Sequence, residues 1–123
     1  MYILDSNILI GHLNGNNSIK DWIKEKVTTD SLCISTISKI ELLSFPGLEG
    51  NDLYEAEKFV SLFQEIGIWG SVASLSADLK RNSNFSLADA IILATAISRR
   101  MTLVTNDKAL ITKAKNLVET LSI

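Results

Sequence analysis

Tyr2-Ile3-Leu4-Asp5-Ser6-Asn7-Ile8-Leu9 carries the chain from a short apolar strand into a helix, with an aspartate at the junction. The same alternation recurs downstream. Leu32-Cys33-Ile34-Ser35 reads as a second strand, and the helix after it runs from about Thr36 to Phe45, where Pro46-Gly47 stops it. An amphipathic stretch over Leu53–Ile66 leads into a third strand, Ile66-Gly67-Ile68-Trp69, and Ser71 caps a helix to about Arg81. Ser86 opens the most apolar helix, to about Arg100, and Leu103-Val104 is a fourth strand. Lys108–Lys115 is helical and Leu117-Val118-Glu119 is a fifth strand. Ser18 onward, with Ile19, Trp22, Ile23 and Val27 at helical spacing, adds a helix before the second strand. Short buried strands alternating with helices imply parallel βα units covered on both faces. The expected fold is therefore α/β: an α/β/α sandwich on a parallel sheet of about five strands, one domain over residues 1–123.

Composition excludes several classes. Hydrophobic residues at 46% and charged residues at 21% describe a globular chain rather than a disordered one. No apolar stretch approaches a membrane span, and no charged-then-apolar leader opens the sequence. The lone cysteine, Cys33, sits in an apolar strand as a small hydrophobe, which fits a reducing, cytoplasmic setting. A formal net charge of −2 does not advertise nucleic-acid binding, although clustered acids would mask basic residues elsewhere.

Four acids stand apart from the rest. Asp5 and Asp107 follow strand-like runs, while Glu41 and Asp89 sit in strongly apolar helices. Taken singly, each has a structural role available. Asp5 suits a helix N-cap, Asp107 a first turn, and Ser38-x-x-Glu41 and Ser86-x-x-Asp89 have capping-box spacing. Taken together they point elsewhere. A helix apolar on most sides is buried, so its lone acid faces a polar cavity. In a parallel sheet the strand ends and the following helices converge on one crevice. Carboxylates gathered there repel one another unless a hard divalent cation sits among them.

Other chemistries are poorer fits. His12 is the only histidine and no cysteine stands near it, which speaks against zinc. There is no glycine-rich phosphate loop and no nucleophile elbow. Trp22 and Trp69 could stack on bases, yet aromatic residues in apolar patterns are more often core. A phosphoacceptor receiver domain also gathers acids at strand ends, but it wants a pair after the first strand, which Asp5-Ser6 does not supply.

The four motifs resemble those of the PIN-domain family, in the same order: Tyr2–Leu9 with Asn7 two residues past Asp5, Ile37-Ser38-Lys39-Ile40-Glu41-Leu42, Leu87-Ala88-Asp89 through Ala96, and Leu103-Val104-Thr105-Asn106-Asp107. Within that family the chain looks most like the VapC-type toxins of prokaryotic toxin–antitoxin pairs. The resemblance implies a metal-dependent endoribonuclease acting on structured cellular RNA. It implies Mg²⁺ or Mn²⁺ in a pocket of Asp5, Glu41, Asp89 and Asp107. Asp5 and Asp89 would be direct ligands, and Glu41 and Asp107 would act through water. Asn7 and Thr105 would orient the carboxylates, with Ser6 and Asn106 assisting. The implied partners are the RNA, a small cognate antitoxin and a second copy in a homodimer. An apolar groove between Thr36–Phe45 and Leu53–Ile66, lined by Phe45, Leu48, Phe59 and Phe63, is the expected antitoxin seat, the alternative being that these residues finish the intrachain core. The alternative is a catalytically silent scaffold that binds protein or RNA.

Overall fold

The structure, a computed structural model, describes all residues 1–123. Its centre is a five-stranded sheet in the order β3-β2-β1-β4-β5, every neighbouring pair parallel. The strands are β1 (Tyr2–Leu4), β2 (Leu32–Ser35), β3 (Gln64–Ile66), β4 (Thr102–Val104) and β5 (Thr120–Leu121). The helices are α1 (Ser6–Leu13), α2 (Asn17–Lys26), α3 (Thr36–Leu43), α4 (Gly50–Val60), α5 (Gly70–Asn82), α6 (Leu87–Arg99) and α7 (Lys108–Ala114).

Alternation along the strands divides the core. Ile3, Cys33 and Leu103 point to one face and pack with Ala90, Leu93 and Ala96 of α6 and Leu110 of α7. Leu4, Ile34 and Val104 point to the other and meet Ile8 and Leu9 of α1, Ile19 and Ile23 of α2, and Phe59 and Val60 of α4. Successive strand residues face opposite ways, so three apolar residues in a row serve both layers. The sandwich and its five parallel strands are as the sequence implies. All seven residues of α6 from Ala90 to Ala96 are buried, and Thr95 satisfies its hydroxyl by donating to the Ile91 carbonyl at 2.7 Å.

Element boundaries differ from expectation at the sheet edges. The third strand is Gln64–Ile66 rather than Ile66–Trp69. It is an edge strand, so Gln64 and Glu65 face solvent and break the apolar run by which a buried strand is read. The helix before it ends at Val60, not Ile66, and a turn at Ser61 and Leu62 frees the chain to pair with β2. The last strand is Thr120–Leu121 rather than Leu117–Glu119, set by the Leu103 N–H to Glu119 carbonyl and Thr105 N–H to Leu121 carbonyl bonds. Helix α3 stops at Leu43, ahead of Phe45, and α5 starts at Gly70 with Trp69 at its N-cap position, not Ser71.

Candidate functional site

Register places the site. Leu4 pairs with both Ile34 and Val104, so the next residues, Ser35, Asp5 and Thr105, lie side by side at the carboxyl edge of the three central strands. Asp5 is buried, and its backbone N–H donates to the Val104 carbonyl at 3.0 Å. Its carboxylate is held from several sides. Oδ1 accepts from the Ser6 N–H at 2.8 Å, in the geometry of an N-cap on α1. Oδ2 accepts from the Thr105 hydroxyl at 2.8 Å and the Asn7 amide at 3.1 Å.

Thr105 is the hub of this network. Fully buried, its hydroxyl donates to Asp5 and accepts from the Asn7 amide at 3.1 Å and the Asp107 N–H at 3.1 Å. Asn7 reaches across on its other side, where Oδ1 accepts from the Asn106 N–H at 3.3 Å. Asn7 and Thr105 thus tie the end of β1 to the end of β4. Ser6 and Asn106 do less than expected for the carboxylates. Ser6 contributes its backbone N–H, and the Asn106 side chain accepts from the Ser122 hydroxyl and the Ile123 N–H, both at 2.8 Å, fastening the end of the chain instead.

The other acids approach from helices. Asp89 lies in the first turn of α6, where its N–H donates to the Ser86 hydroxyl at 3.1 Å, and Glu41 is half-buried on α3. Asp107 caps α7, its Oδ1 accepting from the Ala109 and Leu110 N–H groups at 3.0 and 3.2 Å. The charges of Asp89 and Glu41 act on Asp5, and that of Asp107 acts on Asp89. Burial pushes the Asp5 carboxyl above its ordinary range; Thr105 and Ser6 oppose this, while the charges of Asp89 and Glu41 add to it. Burial likewise raises Asp89, opposed by the Ser86 hydroxyl and by Lys113, and reinforced by Asp107. The capping roles of Asp5 and Asp107 coexist with this coupling, because a carboxylate oxygen has lone pairs to spare after one or two hydrogen bonds.

Lys113 is a residue that sequence reasoning did not single out. Its ammonium donates to the Asn84 carbonyl at 2.7 Å and lies 5.7 Å from the Phe85 ring centre, close enough to lower Asp89. Helical spacing on α7 offered no hint of it, since the contact spans 29 residues of sequence. The capping box expected at Ser38 and Glu41 does not form: Ser35 caps α3, and Ser38 is fully buried with no partner for its hydroxyl.

No three Asp, Glu, His or Cys side chains close into a ready chelate. An ion here would be held directly by one or two carboxylates, with water completing its shell, which is how Mg²⁺ is usually bound. The donor set is all oxygen, and Asp5 and Asp89 each lie in the field of another carboxylate, so the residues fit a hard divalent cation.

The apolar groove lies elsewhere than expected. Phe59 and Phe63 are each only 6% exposed and complete the core, so they line no groove. A cavity of about 230 Å³ opens instead between α1 and the end of α3, walled by Ile10, Leu13, Leu42, Phe45, Pro46 and Leu48.

In a parallel α/β sandwich the carboxyl edge of the strands is where ligands bind, and acids lie there in this chain. The PIN domain family model matches residues 2–116, and the chain belongs to that family. It is 28% identical over 101 residues to the ribonuclease VapC10 of Mycobacterium tuberculosis, covering 78% of this chain and 74% of that protein. Among solved structures, a toxin–antitoxin complex from Klebsiella pneumoniae superposes with a TM-score of 0.83 and 27% identity over 100% of both chains. VapBC2 from Rickettsia felis, bound to a DNA fragment from its promoter, gives 0.80 at 20% identity over 99% and 98%, a likeness of fold.

Proposed function

We propose that this chain is an endoribonuclease toxin of a toxin–antitoxin pair, hydrolysing phosphodiester bonds in structured cellular RNA with Mg²⁺ or Mn²⁺ as cofactor. The observation that carries the reading is the Asp5 carboxylate, buried, fixed by Thr105 and Asn7, and within the fields of Asp89 and Glu41. A purely structural N-cap needs no second acid beside it.

The proposed roles are those that membership of the family implies. Asp5 and Asp89 would hold the cation directly, and Glu41 and Asp107 would reach it through water. When bound, the cation would polarise the scissile phosphate and lower the pKa of an attacking water. Thr105 and Asn7 keep Asp5 in one rotamer, so its free lone pairs point at a fixed place. Lys113 offsets part of the negative field on Asp89. No helix of the chain is long and apolar enough to cross a membrane, and an RNA substrate sets the site of action in the cytoplasm. The antitoxin is read as a small protein whose helix fills the cavity between α1 and the end of α3, where Phe45 is 51% exposed.

The test is cleavage of an RNA by the purified protein with Mg²⁺, with Mn²⁺ and with excess chelator, alongside Asp5→Asn. Cleavage should require the cation and vanish in the variant. Full-rate cleavage in chelator would refute the reading.

A further inference from the structure

The fold treats the two tryptophans oppositely. Trp22 is half-buried, edge-on to Tyr2 with ring centres 5.2 Å apart. Trp69 leaves 77% of its surface in solvent. Single exposed apolar residues are ordinary, so exposure alone decides nothing. Position, seating and charge decide it.

Position comes from the register. Ile66 ends β3 opposite Ser35, which is level with Asp5. With strands about 4.8 Å apart, Ile66 stands about 10 Å from Asp5 along the carboxyl edge, and Trp69 follows three residues on. Three residues reach at most about 10 Å further, so an RNA strand presenting a phosphate to Asp5 could meet the indole within a few nucleotides. Seating comes from Gly67. A Cβ there would lie 2.4 Å from the indole Nε1 and 3.0 Å from Cε2, so the ring rests on a backbone that only glycine leaves open. Glu65 then locks β3 to α3, accepting from the Thr36 hydroxyl at 2.7 Å and from Lys39 at 2.9 Å. The strand that leads to Trp69 is thus tied to the helix that carries Glu41. Charge supplies the reason for an aromatic. The chain has net charge −2, and its site is lined with carboxylates that repel a phosphate backbone. Stacking on a base face holds RNA without opposing charge and works for any base.

We propose that Trp69 is a base-stacking residue of the substrate groove, gripping an unpaired nucleotide a few positions from the scissile phosphate. The inference rests on the ribonuclease reading above. Because a duplex hides its base faces, the gripped nucleotide lies in a loop, bulge or single-stranded end.

Trp22→Phe leaves Trp69 as the sole indole, and Asp5→Asn in the same protein blocks cleavage. Titrating a single-stranded oligoribonucleotide in Mg²⁺ should quench the Trp69 emission, whereas the same sequence annealed to its complement should not. Trp69→Ala should weaken binding about 5- to 150-fold, the range for losing one stacked base, while Trp69→Phe keeps most of the affinity. With Asp5 intact, Trp69→Ala should raise KM more than it lowers kcat. An abasic nucleotide at the gripped position should erase the difference between Trp69 and Ala. Single-strand binding without quenching would overturn the proposal, as would an alanine penalty that persists at every abasic position. A variant that turns a dimer into a monomer by light scattering, with RNA affinity unchanged, would assign Trp69 to a contact with a second copy instead. Wild-type cleavage without quenching sinks the stacking alone, and absence of both sinks the ribonuclease reading with it.

Discussion

Thr105→Val removes one oxygen and keeps the shape, and three hydrogen bonds meet at that oxygen. The bond to Asp5, at 2.8 Å in a fully buried position, is charge-assisted and contributes about 1.5–3 kcal/mol. The Asp107 N–H is left without its acceptor, but that group is only part-buried and water can replace part of the loss. The net cost is about 2–4 kcal/mol, or a fall of about 10 °C in Tm for a domain of this size. A second signature separates this from a packing defect. Thr105 opposes the burial that raises Asp5, so its loss moves Asp5 ionisation to still higher pH. The acid limb of the cleavage profile should therefore shift upward in Thr105→Val and return in Thr105→Ser. Thermal melts and a pH–rate profile of the three proteins are the assay. A Tm within about 2 °C of wild type, with an unmoved acid limb, would refute the hub role, since losing even one charge-assisted bond exceeds that.

At Asp107, Asn should hold the α7 cap while Ala costs about 1 kcal/mol in denaturant melts, because the acceptor for Ala109 and Leu110 goes with it; equal melts would remove the cap. In the cavity between α1 and α3, Phe45→Asp should weaken antitoxin binding by more than tenfold in calorimetry, as expected of a central aromatic anchor. Tyr54→Asp on the exposed face of α4 should leave it unchanged, and the reverse outcome would restore the groove expected between α3 and α4.

The sandwich was legible because buried parallel strands are continuous apolar runs, and β1, β2 and β4 are such runs. The edge strands were not, since Gln64 and Glu65 face water and mimic the end of a helix. The acids could be picked out because a carboxylate inside α3 or α6 contradicts its apolar surroundings. Thr105 and Asn7 rested on family resemblance, and only the fold shows why they matter: the bonds joining them to each other and Thr105 to Asp5 span 98 and 100 residues. Trp69 was hidden by its apolar neighbours, although glycines on both sides, Gly67 and Gly70, marked a chain that turns rather than a buried strand.

Four acids that share one cation must show it in thermal melts of wild type and Asp89→Asn, each taken in chelator and in Mg²⁺. Folded-state pKa values of Asp5 and Asp89 are raised, so the stability tied to those protons is present below the unfolded pKa and lost as pH rises through the folded one. Above the folded-state pKa values the chelated wild type carries the full repulsion. Mg²⁺ at about a hundred times its dissociation constant should add about 2.7 kcal/mol. Asp89→Asn should melt higher than wild type in chelator and gain much less from Mg²⁺. An unchanged melting point in chelator together with a full Mg²⁺ response would contradict the shared site and leave Asp89 a helix-terminal residue.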